Sequence, residues 1–302
     1  MLSLVVLLLF IATCAADAQP AGRPEAGEKR RPWTVHTTQR YQTASDFEAR
    51  DGGVAWHEST IGISGGLFLP GPGLLRAGAD YVRTRFAFAS NTRLGLSDSE
   101  PFRHVQEVRL SAQLLTPWSS TWSSQLFGAV TSGFESGAAP DDALSGIAGL
   151  GVARRFSDRL SFGLGGLLLH QIGNQAITVV PIVLLDWQMT ERLALRSRQD
   201  ITLSYLLDSR RRLSVAAVAS FFGRRQFRLD EAGPVPAGVA ELKGFEIGGR
   251  VTWEPFPALT VQGAAEAALR QNLHLEDRAG RDMVDVDLED ALRLSLAVRY
   301  RF

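Results

Sequence analysis

The sequence predicts an all-β fold: a transmembrane up-and-down antiparallel β-barrel of about 12 strands, within limits of about 10 and 14, after a cleaved signal peptide. Three observations support this prediction. The N-terminal apolar run is too short to span a bilayer, the rest of the chain alternates between apolar and polar residues, and short turns alternate with longer polar loops. No later apolar stretch reaches the roughly 18 residues of a membrane-spanning helix, which excludes a helical membrane protein.

The N-terminus has the pattern of a secretory signal. Residues 2–13 read LSLVVLLLFIAT, and the A-x-A motif Ala16-Asp17-Ala18 follows, ahead of a polar stretch. A run of this length matches the core of a signal peptide, although no Lys or Arg precedes it. Two other interpretations stay open, namely acylation of Cys14 in a lipoprotein and a buried N-terminal helix in a cytosolic protein.

The last strand shows the alternation most clearly. Successive side chains of a strand point to opposite faces, and one face here is purely apolar and ends in aromatic residues. That face comprises Leu292, Leu294, Leu296, Val298, Tyr300 and Phe302. The other face carries Arg293, Arg299 and Arg301. In a membrane barrel the apolar face meets lipid and the arginines line the lumen, whereas in a soluble sandwich the apolar face meets a core.

Similar alternation predicts the remaining strands. Twelve segments of the chain are expected to form them: 74–88, 102–116, 120–134, 144–156, 159–172, 175–187, 193–200, 201–207, 212–229, 241–253, 258–274 and 284–302. Segments near 33–42 and 54–68 would add two strands and give 14. An even number suits a bacterial single-chain barrel.

Short turns and aromatic residues mark one end of the barrel. The short connections follow aromatic residues, whereas longer polar loops lie between them, which is the outer-membrane arrangement. Trp118, Trp122, Trp187 and Trp253 cluster at the short-turn end. Trp favours a membrane interface because its ring meets lipid while its N–H meets water. We therefore expect these four to be interfacial; turn-flanking aromatics of a soluble sandwich are the alternative.

These features divide the chain into three regions and give it a location. Residues 1–18 are a signal peptide, and residues 19–32 are a disordered periplasmic lead. Residues 33–302 form an outer-membrane β-barrel, with core strands from about residue 74. The predicted location is the outer membrane of a Gram-negative bacterium. Cleavage after Ala18 removes Cys14, the only cysteine, so the mature chain has no disulfide and no thiolate metal site.

The chain resembles outer-membrane β-barrel proteins in its export signal, its alternation and its C-terminal strand LRLSLAVRYRF. This resemblance implies that Leu296, Val298, Tyr300 and Phe302 form the signal read by the barrel-assembly machinery. More narrowly, the segment YLLDSRRRLSVAAVASFFGRRQFRL and the chain length resemble an uncharacterised outer-membrane family, classed as a domain of unknown function, over about residues 50 to 302. That family supplies a fold and a location, and no catalytic residues.

The polar parity of the strands predicts a charged lumen. Its expected residues are Glu107, Arg109, Arg196, Arg198, Asp200, Glu246, Arg250, Glu266, Arg270, Arg293, Arg299 and Arg301. Arginine prevails, which favours anionic solutes, but an open lumen and a closed salt-bridge network both stay open. Both parities are apolar in 175–187, so this wall either binds a hydrophobic solute or lipid tail, or packs against an inserted segment such as 33–50.

The function predicted from these features is a passive pore, or a barrel that binds or transports small solutes. A non-catalytic scaffold and a lipid-acting hydrolase are the alternatives.

No convincing catalytic, cofactor or metal site is present, although His104 and His170 are the best hydrolase candidates. The loop-end carboxylates that could bind cations are Asp141, Asp142, Asp282, Asp285 and Asp287. Charge is balanced at 32 basic and 32 acidic residues, so nucleic acid is not expected. The expected partners are outer-membrane lipids, the assembly machinery and small solutes.

Overall fold

The computed structural model describes residues 33–302, apart from 49, 70–72, 91, 93, 97–99, 199, 211 and 221–223. The expected signal peptide and periplasmic lead lie outside the described residues. Within the described part, no helix has the length and apolar character needed to cross a bilayer.

The described chain is almost entirely β-structure, with one short 3₁₀ helix at Pro140–Ala143 in its described part. The strands are β1 (Trp33–Asp46), β2 (Gly53–Phe68), β3 (Leu74–Phe88), β4 (His104–Pro117), β5 (Trp122–Glu135), β6 (Leu144–Ser157), β7 (Leu160–Gln171), β8 (Asn174–Gln188), β9 (Leu193–Ser197), β10 (Asp200–Leu206), β11 (Leu213–Ser220), β12 (Arg225–Arg228), β13 (Val239–Phe256), β14 (Leu259–Glu276), β15 (Asp282–Leu288) and β16 (Ala291–Arg301).

Fourteen of these strands form one closed antiparallel ring. β1 to β11 follow one another as neighbours, β13, β14 and β16 continue the wall, and β16 pairs with β1. The ring has 14 strands rather than about 12, which is the upper limit of the predicted range, because the optional segments near 33–42 and 54–68 are the full wall strands β1 and β2. The wall begins at Trp33 rather than near residue 74.

Two of the predicted strands are each divided in the structure. The segment 212–229 forms β11 and β12, and the segment 284–302 forms β15 and β16. β12 and β15 are short strands that pair with the upper ends of β13 and β14. They lie at the end of the barrel that carries the longer loops.

The exterior of the barrel is apolar, with aromatic residues at the short-turn end. On β16, Leu292, Leu294, Leu296 and Tyr300 are exposed, whereas Arg293 and Arg299 on the opposite face are partly buried. Phe302 is exposed as well. The same end carries the exposed rings of Trp118, Trp122, Trp187 and Trp253. The four tryptophans thus lie where the alternation places them.

At the loop end of the barrel, part of the wall forms a second, smaller closed ring. β12 lies parallel to β5, with Arg228 opposite Phe134, and β15 meets β1 where Leu288 lies opposite Phe47. The result is a smaller ring formed by β12, β13, β14, β15 and β1 to β5. We call it the loop-end ring.

The loop-end ring encloses a hydrophobic core. Its buried members are Phe47, Val54, Trp56, Phe86, Phe88, Leu94, Phe102, Val105, Phe227, Leu229, Val235, Ala240, Leu273, Leu275, Val284, Val286 and Leu288. Full burial of each large apolar side chain contributes about 1.5–3 kcal/mol. Phe102 lies edge-on to both Phe86 and Phe227, at centroid distances of 4.9 Å. This packing closes the lumen within the loop-end ring.

Gly133 allows β12 to reach the opposite wall. A methyl group at this position would lie 2.8 Å from the backbone carbonyl oxygen of Gln226. Just above it, Glu135 accepts backbone N–H groups from Arg103 and Asp230, both at 3.1 Å. Strand β5 therefore holds both β12 and the loops beside it.

A bulge in β14 moves Arg270 out of the lumen. The φ angle of Arg270 is 49°. At this point β14 changes its partner strand: it pairs with β16 up to Ala268 and with β15 from Gln271 onward. The extra residue reverses the face of every side chain beyond it. Gln271 and Leu273 consequently point inward, and Arg270 is exposed. The prediction that Arg270 lines the lumen is wrong for this reason.

Candidate functional site: a charged chamber in the lumen

A cavity of about 670 Å³ lies in the lumen below the loop-end ring. Its walls come from β1 to β4, the tip of β10, β11 to β14, and β16. Its lower lining includes Thr34 and Arg301 near the short-turn end. We call this cavity the lumen chamber. It is far too polar to be a hydrophobic core, and the charges on its walls determine its chemistry.

Cations outnumber anions in the wall of the lumen chamber. Its ten basic residues are Arg40, Arg76, Arg109, Arg224, Arg225, Lys243, Arg250, Arg293, Arg299 and Arg301. Its five acidic residues are Glu58, Asp80, Asp200, Glu246 and Glu266. Glu107 and Glu241 are buried behind this lining and pair with four of its cations, Arg109, Arg224, Arg225 and Lys243. Ten positive and seven negative charges then leave an excess of three positive charges with histidine neutral. Such a wall favours an anion over a cation of the same size.

Arg225 joins β12 to the opposite wall. Its Nη1 lies 2.9 Å from Glu58, and its Nε and Nη2 donate to Glu107, the Nε at 3.0 Å. Its Nη2 also donates to the Thr84 hydroxyl at 2.9 Å. Both carboxylates are buried, so this cluster holds β12 against β2, β3 and β4. A charge buried in this way is stable only while its partners stay ionised.

Arg293 forms the second centre of the network. Its guanidinium pairs with Glu246, donates to Gln42 Oε1 at 2.7 Å, and lies over the Trp56 ring at 4.8 Å. Trp56 belongs to the hydrophobic core of the loop-end ring. The cation–π contact therefore joins the floor of that core to the roof of the lumen chamber.

Weaker pairs lie around these two centres. Arg40 is 3.9 Å from Glu58, and Arg250 is 3.8 Å from Glu266. His36 Nε2 lies 3.0 Å from the buried carboxylate of Asp80. Arg76 faces the cavity without an ion pair to any described carboxylate.

Most of the predicted lumen charges line the chamber. Those that do are Arg109, Asp200, Glu246, Arg250, Glu266, Arg293, Arg299 and Arg301. Glu107 is buried beside the chamber, where it pairs with Arg225 and with Arg109. Arg196 pairs with Asp186 at 3.6 Å on the short strand β9. Arg198 follows directly after the end of β9. Only Arg270 is turned away from the lumen among these predicted residues.

Several residues of the network are absent from the predicted set. Arg40, Glu58 and Asp80 lie on β1, β2 and β3. The sequence predicts β1 and β2 only as optional strands. Arg225 lies within a segment predicted to be ordinary wall. The polar parity of β1 and β2 was a usable signal for Arg40 and Glu58, but no pattern in the sequence shows that β12 leaves the wall and crosses the lumen.

The structure has the apolar inner face predicted for 175–187, but this face does not pack against residues 33–50. Phe127, Leu167, Ile182 and Leu184 are buried together on the inner faces of β5, β7 and β8. Residues 33–46 form wall strand β1, so the expectation that 33–50 is inserted against this face is wrong. β12 is the segment that enters the lumen.

The candidate hydrolase residues have no catalytic setting in the described part of the chain. Neither His104 nor His170 forms an ion pair there, and neither ring bonds to a serine. At the loop end, His274 Nε2 lies 3.0 Å from Glu276 and 3.3 Å from Asp282. These three residues could hold a metal ion, but a hydrogen bond between the His274 ring and Glu276 accounts for their proximity.

The fold and its chamber define a class, a closed 14-stranded antiparallel β-barrel with a charged lumen. No protein-family model and no curated protein matches the chain. Among solved structures, the NanC porin aligns over 89% of this chain and 100% of its own, at 10% identity and a TM-score of 0.44.

Two further solved structures are similar. An outer membrane channel from Pseudomonas putida F1 aligns over 92% of this chain and 100% of its own, at 9% identity and a TM-score of 0.48. The Pseudomonas putida toluene transporter TodX aligns over 90% of both chains, at 10% identity and a TM-score of 0.37. The likeness concerns the fold alone. Membership of the uncharacterised outer-membrane family stays a prediction.

Proposed function

We propose that this chain is a barrel of the Gram-negative outer membrane that binds small solutes in its lumen and passes them across the membrane. The exposed apolar exterior and the tryptophans at the short-turn end support the membrane location. The first and last wall strands pair with each other, and their outer termini, Trp33 and Phe302, lie together at the short-turn end. That end would face the periplasm.

The lumen chamber is the observation that carries this proposal. It has room for a small solute, and its excess of positive charge favours anions. Arginine binds carboxylate and phosphate groups through a rigid, planar set of donors. The solute we propose is therefore a small anion, and the proposal assigns no catalytic step to the barrel.

Passage through this barrel is narrow. The hydrophobic core closes the lumen within the loop-end ring, and β12 crosses from β13 to β5. Small solutes would pass this roof more easily than large ones. The permeation rate would then fall steeply with solute size.

We further propose that Leu296, Val298, Tyr300 and Phe302 are read by the barrel-assembly machinery during insertion. The support is their common outward face on the last strand. Outer-membrane lipids would cover this face after insertion.

Solute permeation into liposomes tests the proposed function. Folded protein is reconstituted, and entry of gluconate is compared with entry of N-methylglucamine, a cation of similar size. We expect gluconate to enter several-fold faster, because the chamber wall repels the cation. Arg76→Glu, which changes the charge of a side chain without an ion pair among the described residues, should reduce that preference. Equal exclusion of both solutes by folded barrels would contradict the proposal.

A further inference from the structure

The exterior of strand β3 changes from apolar to cationic toward the loop end. Its outward residues are apolar or aromatic from Leu75 to Tyr81, and Arg83 and Arg85 follow on the same face. β3 pairs with β2 and β4 without a register shift over this length, so no bulge turns either arginine toward the lumen. Both arginines are exposed, and neither forms an ion pair with any residue that the structure describes.

Histidines and neutral polar side chains surround these two arginines. In the strand register, Arg85 lies between His57 and His104, and Arg83 lies between Ser59 and Gln106. Two residues of β1 continue the two rows. We call the eight residues of these rows the outer basic patch: Gln39, Tyr41, His57, Ser59, Arg83, Arg85, His104 and Gln106. None of the eight is acidic, so the patch carries a net positive charge.

Hydrogen bonds within the protein occupy the amide oxygens of the outer basic patch. The Ser59 hydroxyl donates to Gln39 Oε1 at 2.7 Å, and the Tyr81 hydroxyl donates to Gln106 Oε1 at 2.9 Å. Because these acceptors are occupied, the groups that the patch offers to a ligand are chiefly guanidinium N–H donors. Guanidinium groups bind phosphate through a planar set of donors.

The outer basic patch lies near the upper border of the apolar exterior. Arg83 is eight residues beyond Leu75 on β3, and a strand tilted by about 40° rises about 20 Å over that length. The apolar band of a membrane barrel is about 25 Å tall. Directly beneath the patch lie the exposed side chains of three cross-strand neighbours, Ile61, Tyr81 and Val108. A ligand held by the patch would therefore also meet an apolar surface.

We infer that the outer basic patch binds a lipid of the outer leaflet whose headgroup carries anionic phosphate. Arg83 and Arg85 lie about 7 Å apart along the strand, so both guanidinium groups can reach one phosphate while the acyl chains lie on the apolar exterior below. A neutral lipid would leave both guanidinium groups without a partner, and a free anion would make no use of the apolar surface. The inference depends on the proposed membrane location and is independent of the passage of solutes.

Native mass spectrometry of the folded barrel in detergent tests this inference. Diphosphoryl lipid A is titrated against the protein, and the dissociation constant of the first bound lipid is measured. The matched lipid is the same lipid A after removal of its phosphates. The matched variant is Arg154→Gln, because Arg154 is an exposed arginine on the exterior at the short-turn end, beside the rings of Trp122 and Phe156.

We expect diphosphoryl lipid A to bind more tightly than the dephosphorylated form. An arginine at an anionic lipid surface strengthens binding about fivefold. Arg83→Gln and Arg85→Gln should therefore each weaken binding about fivefold, and the double variant should weaken it about 25-fold. Arg154→Gln should leave it unchanged. Millimolar inorganic phosphate should not displace the lipid, because it makes no contact with the apolar surface.

Three results would overturn the inference. They are equal affinity for the two forms of lipid A, equal weakening by Arg154→Gln and by the double variant, and displacement of the lipid by inorganic phosphate. Heat-shifted mobility on gels verifies that each variant is folded, so that a loss of binding can be assigned to the patch.

Gluconate permeation measured on the same variants separates this inference from the proposed function. We expect the double variant to bind lipid A weakly and to pass gluconate at the unchanged rate, because the patch lies outside the lumen. Lipid binding that depends on the patch in a barrel that passes no gluconate would contradict the proposed passage of solutes alone. Gluconate passage with lipid binding that ignores the patch would overturn this inference alone.

Discussion

At the scale of single residues, the lumen is organised by a few buried arginines. Arg225 and Arg293 each bind a buried or half-buried carboxylate, and both lie against the Trp56 ring, at 5.9 and 4.8 Å. Strand parity predicted Arg293 because it lies on a regular wall strand. Parity could not predict Arg225, because its role depends on β12 crossing to partners more than 100 residues away in sequence.

Removing one carboxylate from the Arg225 cluster should destabilise the barrel. Glu107→Gln leaves the buried Arg225 with Glu58 alone, and breaking a buried pair in this way costs about 3–5 kcal/mol. Urea unfolding in detergent, followed by the heat-shifted mobility on gels, measures this loss. Glu191→Gln in an exposed turn is the control, with an expected change within about 0.5 kcal/mol. Equal stability of the two variants would show that Arg225 does not depend on Glu107.

At the scale of elements, β12 and the β9–β10 hairpin set the shape of the lumen. The alternation predicted most wall strands to within a few residues, and it also predicted two short strands at 193–200 and 201–207. The alternation did not predict that β11 ends and β12 turns inward. Apolar side chains on both faces of this segment are compatible with a wall strand and also with a strand inside the lumen. Phe227 is fully buried in the core of the loop-end ring, which only long-range packing decides.

Crowding the contact between β5 and β12 should loosen the loop-end ring. Gly133→Ala places a methyl group against the Gln226 carbonyl, and overpacking of this kind costs about 1–3 kcal/mol. We expect faster proteolysis in the 229–238 loop and faster entry of gluconate, because β12 moves away from β5. Gly263→Ala is the matched control, since its methyl group would meet no atom within 4 Å. Unchanged proteolysis and entry in Gly133→Ala would contradict the role assigned to this contact.

At the scale of the whole molecule, the alternation of apolar and polar residues determines the barrel, and the second closure at the loop end determines the chamber. Apolar residues at every second position commit the chain to a sheet with one apolar face, and the charges on the other parity collect in the lumen. The second closure at the loop end has no such local signal. It joins β5 to β12 and β1 to β15, and it decides that the lumen is a partly roofed chamber rather than a wide pore.

The central claim is that solutes pass through a lumen that prefers anions. Conductance of the refolded protein in planar lipid bilayers, with a salt gradient across the membrane, tests it most directly. We expect small, discrete current steps and a reversal potential on the side of anion selectivity, because ten basic and five acidic residues line the chamber. Silence from protein with the heat-shifted mobility of a folded barrel, or a reversal potential that shows cation selectivity, would contradict the claim.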